Sequence, residues 1–310
     1  MTSPDVIVAD RLSKWYGHVL GVSDVSWRMR GGIVGLLGPN GAGKSTLIKM
    51  MAGVARPSRG TLTVFGGTPF DDPAVRARIG YAPEHDKLWD ELTALELVAA
   101  LAELAGVPRA RAKPAAETAL DRMGLGDARD RRVRGFSKGM RQRVKLATAI
   151  AHDPDLLLLD EPLTGIDPVA RVDIIERVRA LAASGKAIVA SSHVLYEIEA
   201  LTSEIVVIYR GQVLAEGNVY EIRKLIDRHP HVIRVTCDRP RSLAEALAGA
   251  EHVVRIAFER GAVLIETRDP DRCYDQLATA VLDRAIAVQA LTSPDNNLGA
   301  VFDYLTRGGM

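Results

Sequence analysis

The sequence predicts an α/β protein in two parts: a mixed sheet covered by helices over residues 1–225, and a smaller α+β module over 230–310. Three observations predict it. A glycine-rich turn, Gly38-Pro39-Asn40-Gly41-Ala42-Gly43-Lys44-Ser45-Thr46, joins the apolar run Ile33, Val34, Leu36 and Leu37 to helix-spaced Leu47, Ile48 and Met51. Leu156 to Leu159 stand unbroken between Asp155 and Asp160, as in a strand buried on both faces of a parallel sheet. Beyond residue 230, short alternating strands and capped helices follow in the order βαββαβ.

Val6 to Leu12 and Val22 to Met29 alternate apolar and polar residues, the second segment ending at Gly31-Gly32, so both read as antiparallel strands preceding the glycine-rich turn. Trp15-Tyr16-Gly17-His18 falls between them. A tyrosine in a loop lying over a nucleotide would stack on a purine, and a packed loop aromatic fits the same position. At the turn itself, Gly38, Gly41 and Gly43 let successive N–H groups point inward, and the following helix adds its positive end. That cradle suits an anion. Lys44 can reach β- and γ-phosphate oxygens, while the Ser45 hydroxyl is placed to ligate the Mg²⁺ that accompanies a nucleoside triphosphate.

Pro57 to Gly60 reads as a turn, Leu62 to Phe65 as a strand, and Ile79-Gly80-Tyr81 as another running into Pro83-Glu84. Thr93-Ala-Leu-Glu96 is a capping box that opens an apolar helix reaching Gly106 and stopping before Pro108. A second helix, Arg109 to Met123, ends at Gly124, so residues from about 85 to 150 form an inserted helical lobe. Ser137-Lys138-Gly139-Met140 opens a further helix, approached by Arg129, Arg131, Arg132 and Arg134 and continued by Arg141, Arg143 and Lys145. No aromatic set is interleaved, which favours a solvated or phosphate-facing helix end over a nucleic-acid surface.

The leucine strand delivers Asp160 and Glu161 to the sheet edge that also carries the glycine-rich turn. Asp160 can hold Mg²⁺ directly or through water, and Glu161 can orient or deprotonate an attacking water. Asp167-Pro168 starts a helix with Val172, Ile175 and Val178 as its buried face. Ala187 to Ala190 is the next buried strand and delivers Ser191, Ser192 and His193 to the same edge, His193 being a candidate γ-phosphate contact. A hairpin turning at Arg210-Gly211-Gln212 closes this part.

Composition narrows the function classes. With 310 residues, 47% hydrophobic and 25% charged, the chain can bury a large core, and a formal net charge of +1 supplies no global field toward nucleic acid or anionic lipid. Cys237 and Cys273 lack metal-ligand spacing and read as thiols in a reducing compartment. No apolar run reaches the ~18 residues of a spanning helix, and Asp5, Asp10 and Arg11 interrupt any leader pattern, so a membrane role would come through a partner.

Taken in order, the phosphate loop, Ser-x-Gly-x-x-Gln-Arg, Leu-run-Asp-Glu-Pro, Gly-Ile-Asp and Ser-His resemble the nucleotide-binding subunit of ATP-binding-cassette transporters over roughly residues 5 to 220. The resemblance implies a P-loop NTPase cassette: a mixed sheet core, an antiparallel β subdomain and an inserted helical subdomain. It implies Tyr16 as the adenine-stacking residue, Asp160 as the magnesium-site acid, Glu161 as the catalytic carboxylate and His193 as the switch histidine. Phe136 to Met140 occupy the signature position, and Leu163 to Asp167 the loop coupling two sites. Two such domains, in a homodimer, would face each other head to tail, with Ser137 and Gly139 of one touching the γ-phosphate held by Lys44 of the other. Two departures stand out: Lys138 and Met140 replace residues of the usual Leu-Ser-Gly-Gly-Gln, and Glu84 replaces a glutamine, as in the exporter branch whose permeases are separate chains. A carboxylate at 84 can ligate Mg²⁺ but cannot donate a hydrogen bond.

These readings converge on an ATPase subunit on the cytoplasmic face of the membrane, powering efflux through a separate integral-membrane permease, with no nucleic-acid partner. Two rivals are a soluble cassette ATPase acting on nucleic acid or ribosomes and a slow regulatory ATP sensor. The first tends to carry two nucleotide domains, zinc cysteines or long coiled-coil insertions, which this sequence lacks. In the C-terminal part, Val232 to Thr236 reads as a strand, Ser242-x-x-Glu245 as a helix cap, and Val253 to Phe258 with Ala262 to Thr267 as a hairpin about Arg260-Gly261. A helix from Pro270 to Leu282, a strand from Ala285 to Leu291 and a short helix beyond Asn297 complete a ferredoxin-like order. Dimerisation or partner contact is favoured there over ligand sensing.

Overall fold

The computed structural model describes residues 5–85, 87–219, 231–259 and 261–293, and the chain divides after Asn218 into two compact units. In the first unit, β1 (Ile7–Tyr16) and β2 (Val19–Met29) pair antiparallel, and β4 (Arg59–Val64) lies along the other side of β1. The pairs Trp15–Leu20 and Tyr16–Val19 carry this ladder up to a tight turn with Gly17 at φ +59. Trp15 and Tyr16 therefore end a strand; they do not lie in the loop their sequence suggests. Arg59 and Gly60, expected in a turn, likewise open β4.

A six-stranded sheet is built around β3 (Ile33–Leu37), with β7 (Ala187–Ser192) on one side and β8 (Glu204–Tyr209) on the other. Beyond β7 come β6 (Leu156–Leu159) and β5 (Ile79–Ala82); these five strands are parallel, and β9 (Gln212–Asn218) closes the far edge antiparallel to β8. The leucines of β6 serve two cores. Leu157 and Leu159 pack with α3 (Ala94–Leu104), α4 (Arg109–Arg122), α5 (Lys138–Ile150) and α6 (Pro168–Ala183). Leu156 and Leu158 pack with the three-stranded layer and α1 (Lys44–Met51). Each leucine so enclosed contributes about 1.5–3 kcal/mol, and both faces need one, which is why the run is unbroken.

Caps fix the helix starts. The Thr93 hydroxyl accepts from the Glu96 amide at 3.1 Å, and Glu96 Oε2 accepts from the Thr93 amide at 2.8 Å, a complete capping box. Asp167 caps α6, whose buried stripe is Ile174, Ile175, Val178 and Leu181. Val172, expected on that face, is 56% exposed. At 100° per residue it lies about 130° from the centre of the stripe.

In the second unit, β10 (His231–Cys237), β11 (Val253–Glu259), β12 (Ala262–Thr267) and β13 (Val288–Thr292) form an antiparallel sheet in the order β11-β12-β10-β13. α8 (Pro240–Leu247) and α9 (Pro270–Asp283) bury Leu243, Leu247, Cys273 and Leu277 with Ile233, Val235, Val263 and Ile265. Counted within the unit, the strand order is 4-1-3-2, the ferredoxin-like arrangement. Two details differ from expectation. α8 begins at Pro240 with Arg239 as its cap, so Ser242 and Glu245 lie inside it; the proline ring presets the first helical φ. β13 begins at Val288, because Ala285 is turned to φ 45 at the end of α9. The expected 223–230 junction, Arg260 and the helix beyond Asn297 lie outside the described residues.

Candidate active site

Because β3, β6 and β7 run parallel, their C-terminal ends share one edge, and that edge gathers the candidate side chains. The turn after β3 is held open by glycines at positions that exclude a side chain. A Cβ on Gly43, at φ +108, would meet the Gly21 carbonyl oxygen at 2.4 Å, and one on Gly38 would meet the Ile208 carbonyl oxygen at 2.3 Å. Gly43 caps α1 without a side-chain partner, and no acid occupies the first turn, so the amide groups there stay directed at the turn. This is a cradle for an anion.

Lys44 is 5% exposed, and its Nζ donates to the carbonyls of Gly38 at 2.6 Å and Pro39 at 3.2 Å while standing 3.1 Å from Glu161 Oε1. The other oxygen of Glu161 accepts from the Thr164 hydroxyl at 2.8 Å and faces His193 Nδ1 at 2.9 Å. Burial pushes the Glu161 carboxyl up, but the Lys44 ammonium, the Thr164 hydroxyl and the His193 ring outweigh it and hold the group below the usual glutamate range. Glu161 is therefore an ionised carboxylate at neutral pH, with Oε2 hydrogen-bonded and Oε1 facing the Lys44 ammonium. Its backbone is left-handed, φ 50, an uncommon state for a residue bearing a Cβ.

Asp160 is 2% exposed, and its Oδ1 accepts from the hydroxyls of Ser45 at 3.1 Å and Ser191 at 2.8 Å. The phenol of Tyr81 is pushed up to about 12 by burial and then by the charges of Asp160 and Glu84, which places both carboxylates in reach of its field. Glu84 is exposed; it lines a cavity of about 410 Å³ together with Lys138, Gln142, Glu161 and Thr164. Among the described residues, no group of three His, Cys, Asp or Glu forms a metal cage. Mg²⁺ fits the donors present if Ser45 and Asp160 hold it and phosphate oxygens complete the shell, since it prefers few protein ligands.

The remaining candidates fall beside this cluster or apart from it. Tyr16 is 48% exposed, and its ring edge and the Thr46 side chain both crowd Gly21, at 3.3 and 3.1 Å from where a Cβ would stand. The ring thus borders the start of α1, with Lys14 Nζ at 5.1 Å from its centre. Ser137 caps α5 by accepting from the Met140 amide at 3.2 Å, and Gly139 lies close against Ala170. Asp167 caps α6 by accepting from the Ala170 amide at 2.9 Å. Ser137, Gly139, Met140 and Asp167 therefore form a second cluster at the paired starts of α5 and α6. Lys138 leans from it: its ammonium fills the space beside Gly165, 1.9 Å from where a Cβ there would stand. The sequence places Thr164 only within the Leu163–Asp167 loop and Ser191 only at the sheet edge; a hydroxyl three residues after the Asp-Glu pair and one directly before the Ser-His pair are the available signals.

Comparison with known proteins matches these features. The ABC transporter family profile matches residues 22–164. The daunorubicin/doxorubicin resistance ATP-binding protein DrrA of Streptomyces peucetius is 36% identical over 298 residues, covering 95% of this chain and 90% of that protein. The ABC transporter ATP-binding protein NatA of Bacillus subtilis is 40% identical over 215 residues, 67% of this chain and 87% of that protein. A solved ATP-binding subunit of an ABC transporter superposes with a TM-score of 0.63 at 33% identity, over 71% of this chain and 93% of that one. By fold, by order of motifs and by likeness across most of its length, the chain belongs to the ATP-binding proteins of ABC transporters.

Proposed function

We propose that this chain hydrolyses MgATP at the Lys44–Asp160–Glu161–His193 cluster and, as a homodimer enclosing two nucleotides, drives efflux through a separate integral-membrane permease. The convergence of Lys44, Thr164 and His193 on the Glu161 carboxylate carries the reading. Lys44 is balanced between two carbonyls and a carboxylate, so phosphate oxygens in the Gly38–Thr46 cradle compete for its ammonium. Mg²⁺, when bound, would be held by Ser45 and Asp160 with Glu84 assisting, and would neutralise developing phosphate charge.

Once Lys44 turns to phosphate, Glu161 is left as an ionised acceptor fixed by Thr164. It takes a proton from water as the water oxygen bonds to the γ-phosphorus and the bridge to the β-phosphate breaks. His193, with Nδ1 2.9 Å from Glu161 Oε2, is assigned the γ-phosphate contact. Tyr16 stacks the base; Ser137, Lys138, Gly139 and Met140 complete the partner's phosphate site, and Asp167 couples the two.

Efflux follows from the likeness to DrrA and to Nod factor export ATP-binding protein I of Ralstonia nicotianae, 38% identical over 222 residues, 71% of this chain and 69% of that protein. Among the described residues no helix is long and apolar enough to cross a membrane, which agrees with a peripheral position on the cytoplasmic face, held there by the permease. The C-terminal unit is assigned to subunit or permease contact. The test is purification from detergent-solubilised membranes, with phosphate release measured with and without Mg²⁺. A copurifying polytopic membrane protein and Mg²⁺-dependent hydrolysis are expected; recovery with ribosomes or DNA instead would overturn the assignment.

A further inference from the structure

The backbone ladder between β6 and β7 ends at the pair Leu159–Ala190, one residue before the acids. From there a side chain takes over. The Ser191 hydroxyl donates to Asp160 Oδ1 at 2.8 Å and accepts from the Glu161 amide at 2.9 Å, and the residue is 0% exposed. Its own main chain stays in register with Leu36 of β3, the strand that leads into the glycine-rich turn. One hydroxyl thus ties together the acid that meets Ser45, the amide of the residue with the left-handed backbone, and the strand behind the phosphate cradle.

We infer that Ser191 is a positioning residue for ATP hydrolysis, holding Asp160 toward Ser45 and holding Glu161 in the turn that aims its carboxylate. This rests on the hydrolytic reading above. A hydroxyl is the smallest group that can donate to a carboxylate and accept an amide at once. The left-handed backbone of Glu161 is costly for a residue with a Cβ, so its amide needs a partner fixed elsewhere. Thr164 and His193 hold the carboxylate end of the same side chain; Ser191 holds its backbone end. Without the hydroxyl, Oδ1 of Asp160 keeps only Ser45, and the Glu161 amide is buried beside a methyl group.

The experiment compares the full-length chain with Ser191→Ala, Ser191→Thr and Ser191→Val. In Ser191→Ala, kcat is expected to fall at least tenfold with KM for ATP within threefold, and the Mg²⁺ concentration giving half-maximal rate to rise severalfold. Thr and Val share a shape and differ in the hydroxyl, so Thr should recover most of kcat and the Mg²⁺ response and Val should recover neither. Because Ser191 affects kcat through Glu161 and the Mg²⁺ response through Asp160, adding Ser191→Ala to Glu161→Gln should, at saturating Mg²⁺, lower the residual rate less than twofold, whereas general loosening would multiply the defects. Wild-type kcat and Mg²⁺ response in Ser191→Ala, or equal values in Thr and Val, would overturn the inference. So would failure of both Ala and Val to fold while Thr folds, which assigns the hydroxyl to stability alone. Absence of Mg²⁺-dependent hydrolysis in the unaltered protein would instead remove the functional reading itself.

Discussion

Replacing Glu161 by glutamine separates what the carboxylate does for the chemistry from what it does for the fold. If it accepts the water proton as proposed, it is expected to be worth about 10²–10⁴-fold in rate, the usual range for a positioned general base. The stability effect follows from its contacts. Lys44 Nζ stands 3.1 Å from Glu161 Oε1, and both side chains are 5% exposed. Removing one member of a buried pair costs most when the other is left unpaired. Lys44 here keeps the carbonyls of Gly38 and Pro39, and the amide oxygen of glutamine can still accept from Thr164. The cost should therefore be about 1–3 kcal/mol, a lowering of Tm by about 2–10 °C for a unit of this size.

The pH dependence gives the sign. The carboxyl of Glu161 is lowered in the folded protein, so its contribution is fully present above the ordinary glutamate pKa and is lost as pH falls through the folded value. Melting curves of both proteins, taken from pH 8 to as far below the ordinary glutamate pKa as the fold survives, should show a gap that is constant near neutrality and narrows as pH falls from the ordinary glutamate value through the lower folded one. Phosphate release measured on the same preparations should fall at least a hundredfold at pH 7. A gap that persists unchanged to the acid limit would show that the Lys44–Glu161 pair is not its source, and equal hydrolysis rates would remove Glu161 from catalysis.

Other substitutions test the neighbouring parts. Gly43→Ala forces a Cβ to 2.4 Å from the Gly21 carbonyl at a φ of +108 and should abolish measurable ATP binding in a fluorescence titration. Tyr16→Ala should weaken ATP about 5- to 150-fold, the equivalent of 1–3 kcal/mol of base stacking, with Tyr16→Phe close to wild type. Glu84→Gln should raise the Mg²⁺ concentration for half-maximal hydrolysis severalfold; an unchanged response would argue against a metal role for Glu84. Ending the chain after Pro230 should leave ATP hydrolysis within twofold while reducing recovery of the permease, and normal recovery would count against the contact role assigned to the C-terminal unit.

The parts of this protein that could be read in advance are those in which chemistry is written locally. The Gly38–Thr46 turn needs glycines because neighbouring carbonyls leave no room for a Cβ, and that need appears as a spacing. Thr93 and Glu96 satisfy each other three residues apart, and the leucines of β6 are unbroken because each face meets a separate core. Other features depend on partners that spacing does not name. Tyr16 is extended because Val19 pairs with it across a turn, Ser242 loses its capping role because Pro240 starts the helix sooner, and Val172 faces outward because the stripe on α6 is centred elsewhere.

The support of Glu161 belongs to that second kind. A glutamate after a strand carries no local mark of a left-handed backbone, the state more often taken by glycine, asparagine or aspartate. The turn is stabilised from outside by Ser191, 30 positions away in the chain and brought near by the β6–β7 register. A one-residue slip in that register would put Ser191 on the opposite face of the sheet and separate Asp160 and Glu161 from their common hydroxyl. The packing of Leu159 and Ala190 into the shared core fixes that register, and the Ser191 hydroxyl then holds the two acids beside the phosphate cradle.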